Sequence, residues 1–525
     1  MEKWNKLREE CGVFGAALSG GEAAGLTYNA LLALQHRGQE GAGIAVARED
    51  AIFCRKKVGL VSEVFDGPAL ESLGRAGLAI GHVRYSTTGQ NIYENTQPMV
   101  IEYLRGRIAA AHNGNIVNAP ELKRKLTEHG CVFKGTGDTE VIAALIAYEA
   151  LKGSAAAPLG PAGSCPTSLD ASIPGSSPAP SLSGTPANAG APVLLSPGVP
   201  ALSGTSPDPS AVEAAVVRAA KQLVGAFSLV VLTPDRVIAL RDGTGFRPLC
   251  LGKSAEGYAV ASESCALDSA GFTFVRDIRP GEMVVITREG AESRQVLPAA
   301  RQGFCVFEYV YFARTDSVLD GQSVYQARYE MGRMLAAEHP ANADVVCGVP
   351  DSGLEAAAGY AAESGIPLVS GFVKNRYIGR SFIFPSQAQR EAAVRLKLNP
   401  LAANVAGRRV VLVDDSIVRG TTSRKIIASI RAAGAREVHM RISSPPFRHA
   451  CHFGTDIDDE RALIANHMTL AEVARHIGAD SLGYISPAGL KTACIHAGLP
   501  LCMGCFTGEY PLPVGHHTKT QFETR

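Results

Sequence analysis

Thirteen residues late in the chain, Val410-Val411-Leu412-Val413-Asp414-Asp415-Ser416-Ile417-Val418-Arg419-Gly420-Thr421-Thr422, allow few folds. Four consecutive branched apolar residues make a strand buried on both faces. Such strands belong to parallel sheets covered by helices. Two acids and a short turn follow. Gly-Thr-Thr then opens a helix that runs to Gly434, a residue suited to a left-handed stop. The turn's N–H groups, the hydroxyls and the helix N-terminus form a cradle for a phosphate. Two neighbouring carboxylates beside it suit ribose hydroxyls and a Mg²⁺ bridge. The apolar runs Val345–Val349 and Leu368–Val373 alternate with helical stretches, as in a parallel α/β sheet. Val345-Val346-Cys347-Gly348-Val349-Pro350-Asp351-Ser352-Gly353 is a second strand-to-loop turn, placed for pyrophosphate. Lys374-Asn375-Arg376-Tyr377-Ile378-Gly379-Arg380 is a basic loop suited to closing over phosphates.

The N-terminal part has another texture. Residues 226–290 are short apolar runs broken by Asp-Gly, Pro-Gly and lone Gly, a β-rich pattern. Glu140–Leu151 and Ala211–Leu223 read as helices, and Phe227–Leu232 as a strand. Between those helices the composition breaks. Residues 153–210 hold 12 of the chain's 30 prolines, no aromatic residue, no Lys, Arg or Glu, and only Asp170 and Asp208. Ordering a residue costs ~1–2 kcal/mol of backbone entropy, and this stretch has little apolar bulk to offset it. It reads as a disordered insertion within one domain. Lengthening a loop adds only ~0.6 kcal/mol per doubling, so the host domain tolerates it.

Glu10-Cys11-Gly12-Val13-Phe14-Gly15 begins a strand after a charged leader, and by itself suggests a buried cysteine. Four further segments change that reading: Leu34-Gln35-His36-Arg37-Gly38-Gln39-Glu40-Gly41-Ala42-Gly43, Gly81-His82-Val83-Arg84-Tyr85-Ser86-Thr87-Thr88-Gly89, His112-Asn113-Gly114-Asn115 and Gly137-Asp138-Thr139-Glu140. Together they resemble the N-terminal-nucleophile, or class II, glutamine amidotransferases over essentially residues 11–290 except the insertion. The resemblance implies that a leader, residues 1–10, is removed and Cys11 becomes the first residue. Its thiolate then attacks the glutamine amide, and its own α-amine, with an ordinary pKa of ~7.7–8.0, is the base. It also implies that Asn113 and the Gly114 N–H receive the oxyanion, that Arg84 forks onto the glutamine α-carboxylate, and that Asp138 accepts the α-ammonium. His36, His82 and His112 are read as structural histidines in loops.

The later string resembles the PRPP (phosphoribosylpyrophosphate) loop of type I phosphoribosyltransferases. That resemblance implies a PRPP site of Asp414, Asp415, Gly420, Thr421, Thr422 and Arg376, with Mg²⁺ at Ser352, Asp414 and Asp415. The fold expected is an α+β αββα sandwich followed by an α/β phosphoribosyltransferase domain. The expected divisions are a propeptide 1–10, a glutaminase domain 11–300, a phosphoribosyltransferase domain 301–495 and a tail 496–525. Glutaminase first and phosphoribosyltransferase second resembles the family that converts PRPP, glutamine and water to 5-phospho-β-D-ribosylamine, pyrophosphate and glutamate, the opening step of purine biosynthesis. Glucosamine-6-phosphate synthase shares only the first half, and no ATP-pyrophosphatase signature of asparagine synthetase is present. A non-catalytic PRPP sensor is the alternative, and an intact Cys11, Arg84, Asn113 and Asp138 argue against it. Family members lead one to expect a homotetramer and purine nucleotide feedback inhibition.

Of the 12 cysteines, Cys502 and Cys505 form a Cys-Met-Gly-Cys pair. One such pair supplies two ligands, whereas a tetrahedral ion or an iron–sulfur cluster takes four. Spacing does not reveal the others. The iron–sulfur branch of the resembled family implies Cys305, before Glu308-Tyr309-Val310-Tyr311-Phe312, and Cys451, after Ser443-Ser444-Pro445-Pro446. A [4Fe–4S] cluster is expected, with zinc or free thiols as alternatives. Cys54, Cys131, Cys250, Cys265, Cys347 and Cys494 read as ordinary thiols; Cys165 falls in the insertion.

With 51 Lys+Arg against 50 Asp+Glu, the chain lacks the basic excess that nucleic acid or an anionic membrane selects. The start, Met1 to Glu10, is charged and lacks a signal peptide's apolar core. A cytoplasmic protein with reduced thiols is expected.

Overall fold

The computed structural model describes residues 10–85, 91–104, 106–152, 209–299, 301–375, 398–455, 457 and 459–513. The leader before Glu10, residues 153–208 of the insertion and Arg376 with most of its basic loop lie outside these residues; Pro209 and Ser210, expected to close the insertion, instead open the helix Pro209–Ala220, because proline is tolerated in a helix's first turn.

Two antiparallel sheets form the N-terminal part. Its strands are β1 (Gly12–Leu18), β2 (Gly41–Arg48), β3 (Ala51–Val58), β4 (Leu78–Arg84), β5 (Met99–Tyr103), β6 (Gly106–Ile116), β7 (Gly225–Leu232), β8 (Val237–Arg241), β9 (Cys250–Lys253), β10 (Gly257–Ala261), β11 (Thr273–Asp277), β12 (Glu282–Ile286) and β13 (Ala291–Gln295). One sheet runs β11-β9-β10-β1-β4-β2-β3, the other β13-β12-β8-β7-β6-β5. Alternation decides which face each residue serves. Val13 and Ala17 of β1 pack with Val230, Leu232, Val237 and Ala239 between the sheets. Phe14, Ala16 and Leu18 pack outward against the helix Ala23–Ala33. Helices Ala119–Glu128, Asp138–Lys152 and Pro209–Ala220 cover the other sheet. The result is the expected αββα sandwich. Gly15 sets the sheet spacing, because a Cβ there would meet Val230 Cγ1 at 2.8 Å and Val237 Cγ1 at 2.9 Å.

The crossing to the second part is made by short pieces: β14 (Phe304–Cys305) and a hairpin of β15 (Val318–Leu319) and β16 (Gln322–Ser323). The second sheet is parallel, in the order β17 (Val345–Gly348), β20 (Arg409–Asp414), β21 (Glu437–Ile442), β22 (Ser481–Tyr484). Central β20 is buried on both faces, as its unalternating sequence requires. Val411 and Val413 join Met331, Leu335 and Tyr360 on one side. Val410 and Leu412 join Ile426, Ile430 and Ile477 on the other.

The run Leu368–Val373 departs from expectation. It adds no strand to this sheet. Leu368 makes one bridge to Val346, and β18 (Phe372–Lys374) pairs antiparallel with β19 (Leu398–Pro400). Leu368 and Val373 are each 51 % exposed, so the run lacks the two-sided burial of an interior parallel strand. The chain's last strand, β23 (Leu501–Cys502), returns to pair with β14. Among the described residues no helix is long and apolar enough to cross a membrane.

Candidate active sites

Cys11 lies just before β1, whose Gly12 pairs with Val83 of β4. Its thiol is buried between the Tyr85 carbonyl, at 3.3 Å, and the Tyr85 N–H, at 3.4 Å. Burial pushes the thiol up to about 11, with Arg84 opposing the rise, so it is protonated at neutral pH. Arg84, at the end of β4, is buried, with Glu40 at 4.0 Å. Across the sandwich, β6 carries Asn113 and Gly114. The Asn113 side chain is wholly buried, and neither Oδ1 nor Nδ2 has a hydrogen-bond partner among the described residues. Buried amides are ordinarily paired, so two orphaned atoms on one buried carboxamide point to a group supplied from outside the chain. Gly114 has φ +146°, and a Cβ there would strike the Ala226 carbonyl oxygen at 2.0 Å. Only glycine fits.

Asp138 opens its helix and receives the Ile116 N–H at 3.0 Å. Burial alone would raise its pKa. The His112 ring 3.4 Å away and the backbone donors outweigh burial and hold it below the usual carboxylate range. The histidines are occupied by protein. His36 contacts the Ala33 carbonyl and Glu263, His82 contacts the His112 carbonyl at 3.2 Å, and His112 contacts Thr139 at 2.8 Å. His82 and His112 stand on β4 and β6, not in loops, because each strand runs on past its histidine. Burial keeps His82 neutral.

In the second part, Asp414 ends β20 and Asp415 begins the loop, both buried. The hydroxyls of Ser352 and Ser416 both donate to Asp415. Parallel pairing of Gly348 with Val413 and the Val349 N–H to the Val413 carbonyl (2.8 Å) bring the Ser352 loop to the Asp414–Asp415 pair. Gly420 takes φ +75° and leads into the helix Thr421–Ala432, whose first residues Thr421 and Thr422 are half-buried. Lys374 pairs with Asp351. These groups fit Mg²⁺, which takes one or two carboxylates and completes its octahedron with water and substrate phosphate oxygens, not a protein cage.

Cys305 and Cys502 are register partners where β14 meets β23. Cys505 lies one turn on, in Gly504–Thr507. Burial, followed by its neighbours Cys451, Cys305 and Cys502, raises the Cys505 thiol well above its ordinary value. Cys305 and Cys451, distant in sequence, therefore share one electrostatic neighbourhood with Cys502 and Cys505. The described cysteines are all free thiols. Among the described residues no three or more His, Cys, Asp or Glu are gathered as a single-ion site. The donor set, four cysteine sulfurs with Phe447 and Phe506 in their surroundings, would suit an iron–sulfur cluster on loss of the thiol protons.

A family model described as a glutamine amidotransferase domain matches residues 82–158, and one described as a phosphoribosyl transferase domain matches residues 315–443. The amidophosphoribosyltransferase of Archaeoglobus fulgidus is 44% identical over 507 residues, 96% of this chain and 98% of the relative. That of Bacillus subtilis is 40% identical over 520 residues, 98% of this chain and 96% of the relative. The solved structure of glutamine PRPP amidotransferase from B. subtilis, complexed with ADP and GMP, has a TM-score of 0.79 at 40% identity, covering 97% of this chain and 99% of that one. This chain belongs to the amidophosphoribosyltransferase family.

In this amidophosphoribosyltransferase buried charge joins the sandwich to the segment that follows it. Arg37 forks onto both oxygens of Glu308, at 2.9 and 2.8 Å, and reaches Glu263 at 2.6 Å. Arg247 pairs with Glu308 at 3.1 Å, and also, at 2.7 Å, with Glu10, the last residue of the expected leader. Arg241 forks onto Asp320 at 2.8 and 2.7 Å. Isolated charges would be prohibitive in such a place, but here each is paired and hydrogen-bonded. Apart from Glu10, the expected end of the leader, sequence reasoning assigned these residues nothing. Arg37 and Glu308 do stand inside strings quoted above, but only burial reveals their pairing.

Proposed function

We propose that this amidophosphoribosyltransferase hydrolyses glutamine at Cys11 and delivers the ammonia to PRPP held at Asp414, Asp415, Gly420, Thr421, Thr422 and Arg376. The buried Asn113 carboxamide, with no hydrogen-bond partner among the described residues, carries the reading. Removal of residues 1–10 frees the Cys11 α-amine. That amine takes the thiol proton, and the thiolate attacks the glutamine side-chain carbonyl. Arg84 and Asp138 hold the two ends of the amino acid. Asn113 Nδ2 and the Gly114 N–H receive the oxyanion. The amine returns its proton to the leaving nitrogen, and water releases glutamate from the thioester. Ammonia must stay unprotonated to be a nucleophile, so it passes between sites without meeting solvent and displaces pyrophosphate from ribose C1. When bound at Ser352, Asp414 and Asp415, Mg²⁺ neutralises developing charge on the leaving pyrophosphate.

Cys305, Cys451, Cys502 and Cys505 are proposed to hold a [4Fe–4S] cluster, structural or oxygen-sensing. Zinc on the same thiolates would require sulfurs ~3.8 Å apart, from tetrahedral bonds of ~2.3 Å. A B. subtilis relative complexed with ADP and GMP supports purine nucleotides as feedback ligands. A homotetramer, a cytoplasmic location and the domain divisions 1–10, 11–300, 301–495 and 496–525 complete the reading.

Two variants test it. Cys11→Ala should lose glutamine-dependent synthesis and keep ammonia-dependent synthesis, whereas Asp414→Asn should impair both. Loss of both activities in folded Cys11→Ala would sink the division of labour. The leader has its own signature, because Trp4 is the chain's single tryptophan. Mature enzyme should have no tryptophan emission and a mass lower by ten residues. Full glutaminase activity with Trp4 still attached would overturn the α-amine mechanism.

A further inference from the structure

We propose that Asn95 and Gln97 are positioning residues of the glutamine site, Asn95 for the amino-acid anchor Asp138 and Gln97 for the oxyanion donor Asn113. This rests on the reading of Cys11 as nucleophile and of Asp138 and Asn113 as substrate contacts.

Asn95, Thr96 and Gln97 are only 2, 0 and 5 % exposed, although they belong to the connection between β4 and β5. Buried polar side chains need partners, and these find them on two different elements. Asn95 Oδ1 accepts the N–H groups of Thr136 at 2.9 Å and Gly137 at 3.0 Å, while its Nδ2 donates to Thr136 Oγ1 at 2.9 Å. Thr136 and Gly137 lead directly into Asp138, the first residue of its helix. The packing is close: a Cβ on Gly135 would come within 2.6 Å of Asn95 Oδ1. Gln97 Oε1 accepts the His112 N–H at 2.8 Å, one residue before Asn113. The strand ladder explains why. β5 begins at Met99, opposite Ala110, so His112 of β6 lies beyond the end of that pairing. The Gln97 side chain supplies the acceptor that a longer β5 would have supplied.

The tripeptide itself has a fixed seat. The Gly41-Ala42-Gly43 string of β2 leaves room for it: a Cβ at Gly43 would strike the Gln97 carbonyl oxygen at 2.2 Å, and one at Gly41 would meet Thr96 at 3.2 Å. From β3, opposite Gly43, Lys56 Nζ donates to the Thr96 carbonyl. One buried segment therefore holds both ends of the substrate's span. Asp138 stands on a helix and Asn113 on a strand, and glutamine must reach from one to the other with its amide carbonyl at the thiol. Misplacing a reacting group by about 1 Å can cost ~100-fold in rate, so whatever fixes the two elements also fixes the length of amino acid that reacts. Each side chain serves one end, so the loss of each has its own kinetic signature.

The experiment measures steady-state glutaminase kinetics of Asn95→Ala and Gln97→Met, with ammonia-dependent synthesis as the control for folding. Asn95→Ala releases the turn before Asp138. It should raise KM for glutamine about tenfold, the factor that one buried hydrogen bond sets, weaken inhibition by glutamate equally, and leave kcat within about threefold. Gln97→Met keeps the side chain's length and removes the acceptor behind Asn113. It should lower kcat about tenfold and leave KM within about threefold. Both should retain ammonia-dependent synthesis. A folded variant whose kcat and KM both stay within about threefold of the parent overturns the proposal. So does the same joint change of kcat and KM in both variants, which is what general loosening of the domain produces. If one variant does not fold, the other decides alone. If Cys11→Ala still hydrolyses glutamine, the underlying reading of the nucleophile fails instead, whatever these variants show.

Discussion

Asn113→Ala should separate stability from catalysis. In the folded protein Asn113 Oδ1 and Nδ2 are buried with no partner among the described residues. An unsatisfied buried polar group costs ~1–3 kcal/mol, and alanine removes that cost. The small cavity left behind costs ~1 kcal/mol. Folding stability should therefore stay within about 1 kcal/mol of the parent or rise. Catalysis should respond oppositely. If the carboxamide donates to the oxyanion, its loss removes ~2.7–4 kcal/mol of transition-state stabilisation, about 100- to 1000-fold in glutaminase kcat. Ammonia-dependent synthesis bypasses Cys11 and should keep its rate. The assay pairs glutamate release and ammonia-dependent synthesis with chemical denaturation of the same preparation. A glutaminase loss under tenfold, or a stability loss above about 2 kcal/mol, would show that Asn113 is a structural hydrogen-bonding residue and refute the oxyanion role.

Protein purified without air should carry about four irons and four sulfides per chain, and Cys305→Ser or Cys502→Ser should lose both; about one zinc per chain instead would establish the alternative. Burial, with the Asp320 carboxylate next, pushes Asp277 up to about 6 from 3.8. The native state then binds more protons than the unfolded chain between roughly pH 4 and 6, so stability falls as pH rises through that window, by roughly 3 kcal/mol in all. Asp277→Asn should abolish that fall, melting above the parent at pH 7.5 and level with it near pH 4; equal melting temperatures at both would show that Asp277 is not strained.

Much of this protein is legible in one dimension, because local chemistry repeats what the fold demands. Val410–Val413 had to be an interior parallel strand, and the acids and Gly-Thr-Thr after it had to sit at its C-terminal edge, because chain connectivity carries them there. The strings that hold Cys11, Arg84, Asn113, Gly114 and Asp138 resemble a family to which the chain belongs, and that resemblance is what suggests their roles. Leu368–Val373 misled for the opposite reason: apolar content marks a strand, but which edge it joins depends on burial that sequence does not carry. Other facts were decided by tertiary structure alone. Cys305 and Cys451 have no spacing to Cys502 and Cys505 that identifies them, and only the return of β23 to β14 brings Cys305 beside Cys502. Arg37 and Glu308 are 271 residues apart, and either would be read as a surface charge. Ion pairing depends on distance and desolvation, and the folded chain supplies both only when the sandwich meets the second domain over the Cys11 carbonyl.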